Sequence, residues 1–192
     1  MLIDKINNRF GSKRGLLNST KFKILFLLGK YKKYQKVDFD RVEHLVFVCS
    51  GNICRSSLAE YVAKSFGISS ESFGLHCRGG DSADVRAIEF AEKQGIDMKN
   101  HLTRNIKSYL PKSSDLIIAM EPAHIQELEA LGLSEFQITT LPVWAINNIY
   151  LHDPFNSNET FFERCETIVM QGTIKLKEKL SNISNKELNN SY

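Results

Sequence analysis

The chain has 192 residues, enough for one domain with its own core, and its 42% hydrophobic and 24% charged residues are those of an ordinary globular protein. The net charge of +3 is too small to argue for nucleic-acid binding. No apolar run approaches the roughly 20 residues of a membrane span. The longest, residues 24–28, falls short of the roughly 7–15 residues of a secretory leader core and precedes no small-residue cleavage site, so a cytoplasmic location is expected.

Charge is unevenly spread. Residues 1–36 hold ten Lys or Arg and one acid, Asp4, a net of +9, while the remainder holds 15 basic and 21 acidic residues, a net of −6. This asymmetry divides the chain into a basic extension (1–40), a mildly acidic domain (41–180) and an Asn- and Ser-rich tail (181–192) expected to fray. Residues 1–19 are polar and expected to be poorly ordered. Residues 20–36 place Phe22, Ile24, Leu25, Leu28 and Tyr31 among lysines, which suits a short helix. Two readings stay open for it: a helix packed on the domain or solvated, and an arm for a lipid surface or a partner.

From His44 the pattern changes. Leu45-Val46-Phe47-Val48 is a continuous apolar run of buried-strand type, followed by a loop and a helix over 56–66 that Gly67 stops. A short strand is expected near 71–74 and a helix over 84–94, closed by Gly95. Leu116-Ile117-Ile118-Ala119 reads as a second apolar strand, with a helix over 122–131 that has Pro in its first turn. Residues 136–139 suit a fourth strand. A loop carrying His152-Asp153-Pro154-Phe155 then leads to a long helix over about 160–180, whose apolar face is Phe162, Cys165, Val169, Leu176 and Leu180, with Thr160 and Glu163 as a capping box. Strands alternating with helices predict one α/β domain: a central parallel sheet of about four strands, helices on both faces, and a phosphate-binding loop after the first strand. In such sheets ligands bind beyond the carboxyl ends of the strands.

The segment Cys49-Ser50-Gly51-Asn52-Ile53-Cys54-Arg55-Ser56 sits at such an end. Loop amides freed by Gly51 can form an anion-binding nest, and the helix start after Arg55 adds unpaired N–H groups and a positive dipole end. Arg55 can grip two oxyanion oxygens at once. Cations and helix N-termini favour thiolate over thiol, so Cys49 is expected as the nucleophile in attack on a phosphate monoester. A phenolic leaving group needs a proton, because its pKa is about 10. Asp153 is the candidate donor, stiffened by Pro154, with Phe155 placed to stack on an aromatic ring.

The loop Val48–Ser56 resembles the signature of the low-molecular-weight protein tyrosine phosphatases, and Asp153-Pro154-Phe155 is similar to their Asp-Pro-aromatic acid motif. Residues 83–88, 95–97, His101 with Arg104, and 115–121 match as well, so the resemblance covers roughly 43–180. It implies phosphotyrosine proteins as substrates, a phosphocysteine intermediate and no metal or other cofactor. It implies that Asn52, Ser56, Ser72 and His101 shape the loop, and that Cys54 can trap oxidised Cys49 as a disulfide. Ser57 and Val85 stand where the family has Pro. The missing aromatic in 75–80, with Met120-Glu121 and His124, resembles the bacterial branch, which implies action on tyrosine kinases that control capsule or exopolysaccharide export.

Three other readings share the loop. An arsenate reductase needs further redox cysteines, and only Cys77 and Cys165 remain. A phosphoarginine phosphatase favours Thr where Ile53 stands. A silent phosphopeptide-binding module would not need Cys49, Arg55 and Asp153 together. His44, His76, His124 and His152 lack metal spacing and read as surface or loop residues. Cys165 reads as core, Cys77 beside Arg78 as a candidate reactive thiol, and Trp144 as packing near the site.

Overall fold

The computed structural model describes residues 1–190, with side chains through Asn182. The expected α/β architecture is borne out. Strands β1 (His44–Cys49), β2 (Ser70–Gly74), β3 (Asp115–Ala119) and β4 (Gln137–Thr140) form one parallel sheet in the order β2-β1-β3-β4. Register runs Phe47 opposite Ser72 on one side and Ile118 on the other. The chain leaves β1 first towards β2 and later reaches β3 on the opposite flank. The end of β1 is therefore a topological switch point, where a crevice opens.

The strand pleat sorts side chains into two cores. Leu45, Phe47, Leu116 and Ile118 enter one core with α3 (Arg55–Ser65), α4 (Val85–Lys93), α6 (Leu141–Ile146) and α7 (Glu159–Asn190). Val46, Val48, Ile117 and Ala119 enter the other, with Ile125 and Leu128 of α5 (Pro122–Ala130). Burial on both faces is why β1 and β3 read as unbroken apolar runs.

The N-terminal extension differs from expectation. Residues 2–10 form α1 (Leu2–Phe10) and residues 13–27 form α2 (Lys13–Leu27), where disorder was expected over 1–19. The Ser12 hydroxyl caps α2 by accepting from the Gly15 N–H at 2.9 Å. Phe22 and Phe26 of α2, with Tyr31 and Tyr34 beyond it, pack against the second core, and Phe22 stacks on Tyr150 at 5.3 Å. Burial of these rings is what makes the segment helical, since helices this short are marginal alone.

At the other end, α7 runs on to Asn190, so residues 181–190 continue the helix where fraying was expected; residues 191–192 lie outside the described residues. Asn158, not Thr160, caps it, its Oδ1 accepting from the Phe161 N–H at 3.0 Å. Among the described residues no helix is long and apolar enough to cross a membrane.

Candidate active site

The loop after β1 curls beneath a cavity of about 260 Å³. Cys49, Ser50, Gly51, Ile53, Cys54 and Arg55 line it, with His76, whose N–H donates to the Ser50 carbonyl at 2.9 Å, and with Asp153 and Phe155 from the later loop. The structure thus brings together, from positions about a hundred residues apart, the three side chains that the sequence singles out for chemistry. Asn52, Ser56, Ser72 and His101 stand behind the loop rather than in the cavity.

Loop shape rests on Asn52, not on Gly51. Asn52 is the residue in the left-handed region, at φ 58°. Its side chain is completely buried and fully engaged. The Nδ2 amide donates to Ser56 Oγ at 3.0 Å and Ser72 Oγ at 2.7 Å, and Oδ1 accepts from the Arg104 N–H at 2.8 Å. The Asn52 carbonyl accepts from His101 Nε2 at 2.8 Å, which fixes that ring's tautomer. Burial pushes the His101 pKa down and favours this neutral form.

Beneath this layer Ser72 donates to Glu60 at 2.5 Å, and Arg104 holds both Glu60 oxygens at 3.2 and 3.3 Å. Glu60 escaped the sequence reading; a carboxylate on the inner face of α3, opposite a serine-bearing strand, was the available signal. Gly74 matters for closeness: a Cβ there would meet the Gly51 carbonyl carbon at 3.0 Å and Asn52 Cβ at 3.1 Å.

Cys49 ends β1 at the floor. Its Sγ lies 3.0 Å from Ser56 Oγ and accepts from the Asn52 N–H at 3.3 Å. Ser57, standing where the resemblance has Pro, donates to the Cys54 carbonyl at 2.7 Å and so ties the loop's end to the first turn of α3.

Arg55 is completely buried along its length yet presents its guanidinium to the cavity. It donates to the Leu151 carbonyl at 2.9 Å, lies 3.0 Å from Asp153 Oδ2 and 3.5 Å from Glu121 Oε1. Burial works against its charge, but the surrounding Asp153, Cys49 and Glu121 raise its pKa further still. Glu121 is itself pushed up by burial and leans on His124 at 3.2 Å. His124 is buried, not a surface residue, and its burial holds the ring neutral.

Asp153 stands at the rim, its Oδ1 accepting from the Phe155 N–H at 3.1 Å. Arg86, paired with the α4 cap Asp84 at 2.7 Å, reaches the Phe155 carbonyl at 2.9 Å. It thereby anchors this loop to α4.

Other expectations are corrected. Trp144 packs edge-on against Phe39 at 5.4 Å and bonds Thr139, away from the cavity lining. Burial pushes the Cys77 thiol up, which disfavours reactivity. His152 lies in a loop, as read from the sequence, and is half-buried under the N-terminal extension. Cys165 is a core residue, as expected.

A strand-to-helix loop and an arginine that can hold a tetrahedral oxyanion, with a sulfur and a carboxyl group lining the same cavity, are the layout of a cysteine-dependent phosphatase. Comparison with known proteins makes the assignment specific. The model of the family "Low molecular weight phosphotyrosine protein phosphatase" matches residues 44–186. A putative low molecular weight protein-tyrosine-phosphatase of Klebsiella pneumoniae is 30% identical over 138 residues, 71% of this chain and 96% of that protein. The tyrosine phosphatase amsI of Erwinia amylovora superposes with a TM-score of 0.64 at 28% identity, over 73% of this chain and 94% of that one. The YwlE arginine phosphatase of Geobacillus stearothermophilus shares the fold at TM-score 0.65 and 22% identity, over 75% of this chain and 96% of its own. The chain belongs to the low molecular weight phosphotyrosine protein phosphatase family, and it is an enzyme of that family.

Proposed function

We propose that the protein hydrolyses phosphotyrosine in proteins through a phosphocysteine on Cys49. The observation that carries this reading is the convergence of Cys49, Arg55 and Asp153 on one cavity, with Asp153 Oδ2 3.0 Å from the Arg55 guanidinium. Arg55 and the loop amides of residues 50–55 hold the phosphoryl oxygens, and Ser56 donates to the Cys49 thiolate. Sulfur attacks phosphorus, the P–O bond breaks, and Asp153 gives its proton to the departing phenolic oxygen. Water then attacks the phosphocysteine while the Asp153 carboxylate accepts its proton. Inorganic phosphate leaves and the thiolate is restored.

Ile53 and Phe155 give the cavity apolar walls suited to a phenyl ring, which favours phosphotyrosine over phosphoarginine. Arsenate reduction is disfavoured, because Cys77 and Cys165 are both held as thiols by burial. Four free thiols support a cytoplasmic setting. The substrate is an autophosphorylated tyrosine kinase, of the kind that governs exopolysaccharide or capsule export, and residues 41–180 are the catalytic unit. Hydrolysis of p-nitrophenyl phosphate in EDTA, abolished by Cys49→Ser, is the expected result. Turnover by both proteins or by neither rejects the reading, and faster release from phosphoarginine than from phosphotyrosine reassigns the substrate.

The extension's outer side fits an anionic lipid surface. Leu17, Leu27 and Leu28 are 70–77% exposed, and Met1 and Leu2 more than 70%, within a segment of net charge +9. Co-sedimentation with phosphatidylserine-containing vesicles, but not with phosphatidylcholine alone, is expected, and Leu27→Ser with Leu28→Ser abolishes it. Equal pelleting of both proteins ends the lipid reading, and capture of a protein partner instead replaces it.

A further inference from the structure

The extension lies outside residues 44–186, yet it grips the loop that carries Asp153 along its whole length. Lys23 Nζ donates to the Asn147 carbonyl at 2.5 Å, Asn148 Nδ2 to the Ser19 carbonyl at 3.4 Å, and Asn158 Nδ2 to Asn8 Oδ1 at 2.7 Å. The contact nearest Asp153 is at the elbow between α1 and α2. There Ser12 Oγ lies 3.0 Å from His152 Nε2, and the Tyr150 hydroxyl lies 2.6 Å from His152 Nδ1. Asn18 Nδ2 donates to the same hydroxyl at 3.4 Å.

Chemistry orients this chain. Burial pushes Tyr150 up to about 12, so its hydroxyl keeps its proton and donates to His152 Nδ1. Burial, with Arg55 and Arg14 nearby, lowers the His152 pKa and favours the neutral ring. His152 Nε2–H is then left to donate to Ser12 Oγ, which also accepts from the Gly15 N–H.

The elbow also fits too closely to be a loose contact. A Cβ on Gly11 would stand 2.7 Å from His152 Cδ2 and 2.8 Å from the Phe161 ring. One on Gly15 would stand 2.8 Å from His152 Cδ2 and 1.9 Å from the Phe10 carbonyl oxygen. Gly11 takes φ +79°, which glycine adopts freely. His152 is the residue immediately before Asp153, so fixing its ring fixes the backbone from which the acid projects. The carbonyl of Leu151, one residue earlier, is already bound by Arg55.

We infer that Ser12, His152 and Tyr150 are positioning residues for the general acid, and that the N-terminal extension is a working part of the catalytic apparatus. This rests on Asp153 being the proton donor. Loop carboxylates displaced by an ångström lose much of their effect on a proton in flight. The cost falls on substrates whose leaving group most needs that proton.

The experiment measures kcat/KM, which covers the steps up to phosphocysteine formation, for full-length protein on 4-nitrophenyl phosphate and phenyl phosphate. For Ser12→Ala and Tyr150→Phe the loss on phenyl phosphate is about 5–10-fold, against under about twofold on 4-nitrophenyl phosphate. Gly15→Ala gives the same bias if it folds, as judged by its melting curve, and the other two variants decide the question if it does not. An equal loss on both substrates, or no loss on either, overturns the inference. Asp153→Ala run in parallel separates the two claims. If it lacks the leaving-group bias, the acid assignment fails; if it alone shows the bias, only the positioning role fails.

Discussion

Eight consecutive residues, 49–56, furnish the sulfur, the amide nest and the guanidinium on one side of the cavity, whereas the opposite wall, 147–158, is held from at least three distant places. The phosphate loop is braced from within and below: Asn52 bonds both Ser56 and Ser72, and Glu60 and Arg104 bind that layer from beneath. The Asp153 loop has bonds of its own, from Tyr150 to His152, from the Phe155 N–H to Asp153 and from Ser157 to Pro154, but it depends on outside elements as well. It is pinned by Arg55 at Leu151, by Arg86 at Phe155, and by the extension at Asn147, Asn148, His152 and Asn158. Binding the phosphoryl group needs a fixed nest, and bonds from Asn52 to Ser56, Ser72, His101 and Arg104 fix it. Delivering a proton needs only that one carboxyl arrive correctly, and outside elements can tune that delivery without disturbing the nest.

The largest effects separate the two walls. Cys49→Ser removes the proposed nucleophile and should lower kcat by at least about 10⁴-fold on every ester. Arg55→Lys keeps a charge but loses the planar fork together with its hold on Leu151 and Asp153, for an expected loss of about 10²–10³-fold on every ester. Asp153→Asn should cost roughly 10²-fold on phenyl phosphate and under about tenfold on 4-nitrophenyl phosphate. Steady-state kinetics across these esters checks all three. Absence of a leaving-group bias in Asp153→Asn, or a strong one in Cys49→Ser, breaks the division of labour between the walls.

That division also explains what could be read from the sequence. Contiguous chemistry such as Cys49 to Arg55 is visible in a string of letters, and so are β1 and β3, because burial on both faces leaves residues 45–48 and 116–119 wholly apolar. The strand over 70–74 was half-legible, since Ser70, Ser72 and Glu71 carry bonds rather than grease. Residues 1–19 misled because the partners that order them, Tyr150, His152 and Asn158, lie some 130–150 positions away. Ser12 as a helix cap was a local clue, but no local clue says that its hydroxyl also meets His152. Gly51 misled in another way. Glycine is the usual left-handed residue, yet the amide of Asn52 bonds well enough to hold that conformation in a side-chain-bearing residue.

A sharper test of local bracing is Asn52. Asn52→Ala loses three side-chain bonds and keeps the left-handed strain, which should cost about 2–4 kcal/mol of stability and about tenfold in kcat/KM. Asn52→Gly relieves the strain alone and should recover about 1 kcal/mol of that loss without recovering the rate. Chemical denaturation paired with kinetics reads both. Full recovery of rate in the glycine variant would mean that backbone conformation, not the bond network, shapes the nest.

The smallest expected effect on activity comes from Glu166, where the helix that follows the Asp153 loop passes beneath the phosphate loop. It is completely buried, and neither carboxyl oxygen has a hydrogen-bond partner among the described residues. Burial pushes its pKa up from 4.5 to about 8, against the pull of Arg55 and with Asp84 and Asp153 adding to the rise. The folded state therefore binds this proton more tightly than the unfolded chain does. That stabilisation is fully present below about pH 4.5 and is lost as the pH rises towards about 8. Glu166→Met keeps the volume and removes the titration, so stability near pH 7.5 should rise by about 1–3 kcal/mol and lose this part of its pH dependence. Because the nest is braced by Asn52 and Glu60 rather than by α7, kcat/KM should stay within about twofold. Melting temperatures from pH 5 to 8.5 test the first claim, and a parallel, unshifted decline in the variant would refute it. A large loss of activity in Glu166→Met would refute the second, by showing that the phosphate loop depends on the long helix for its shape.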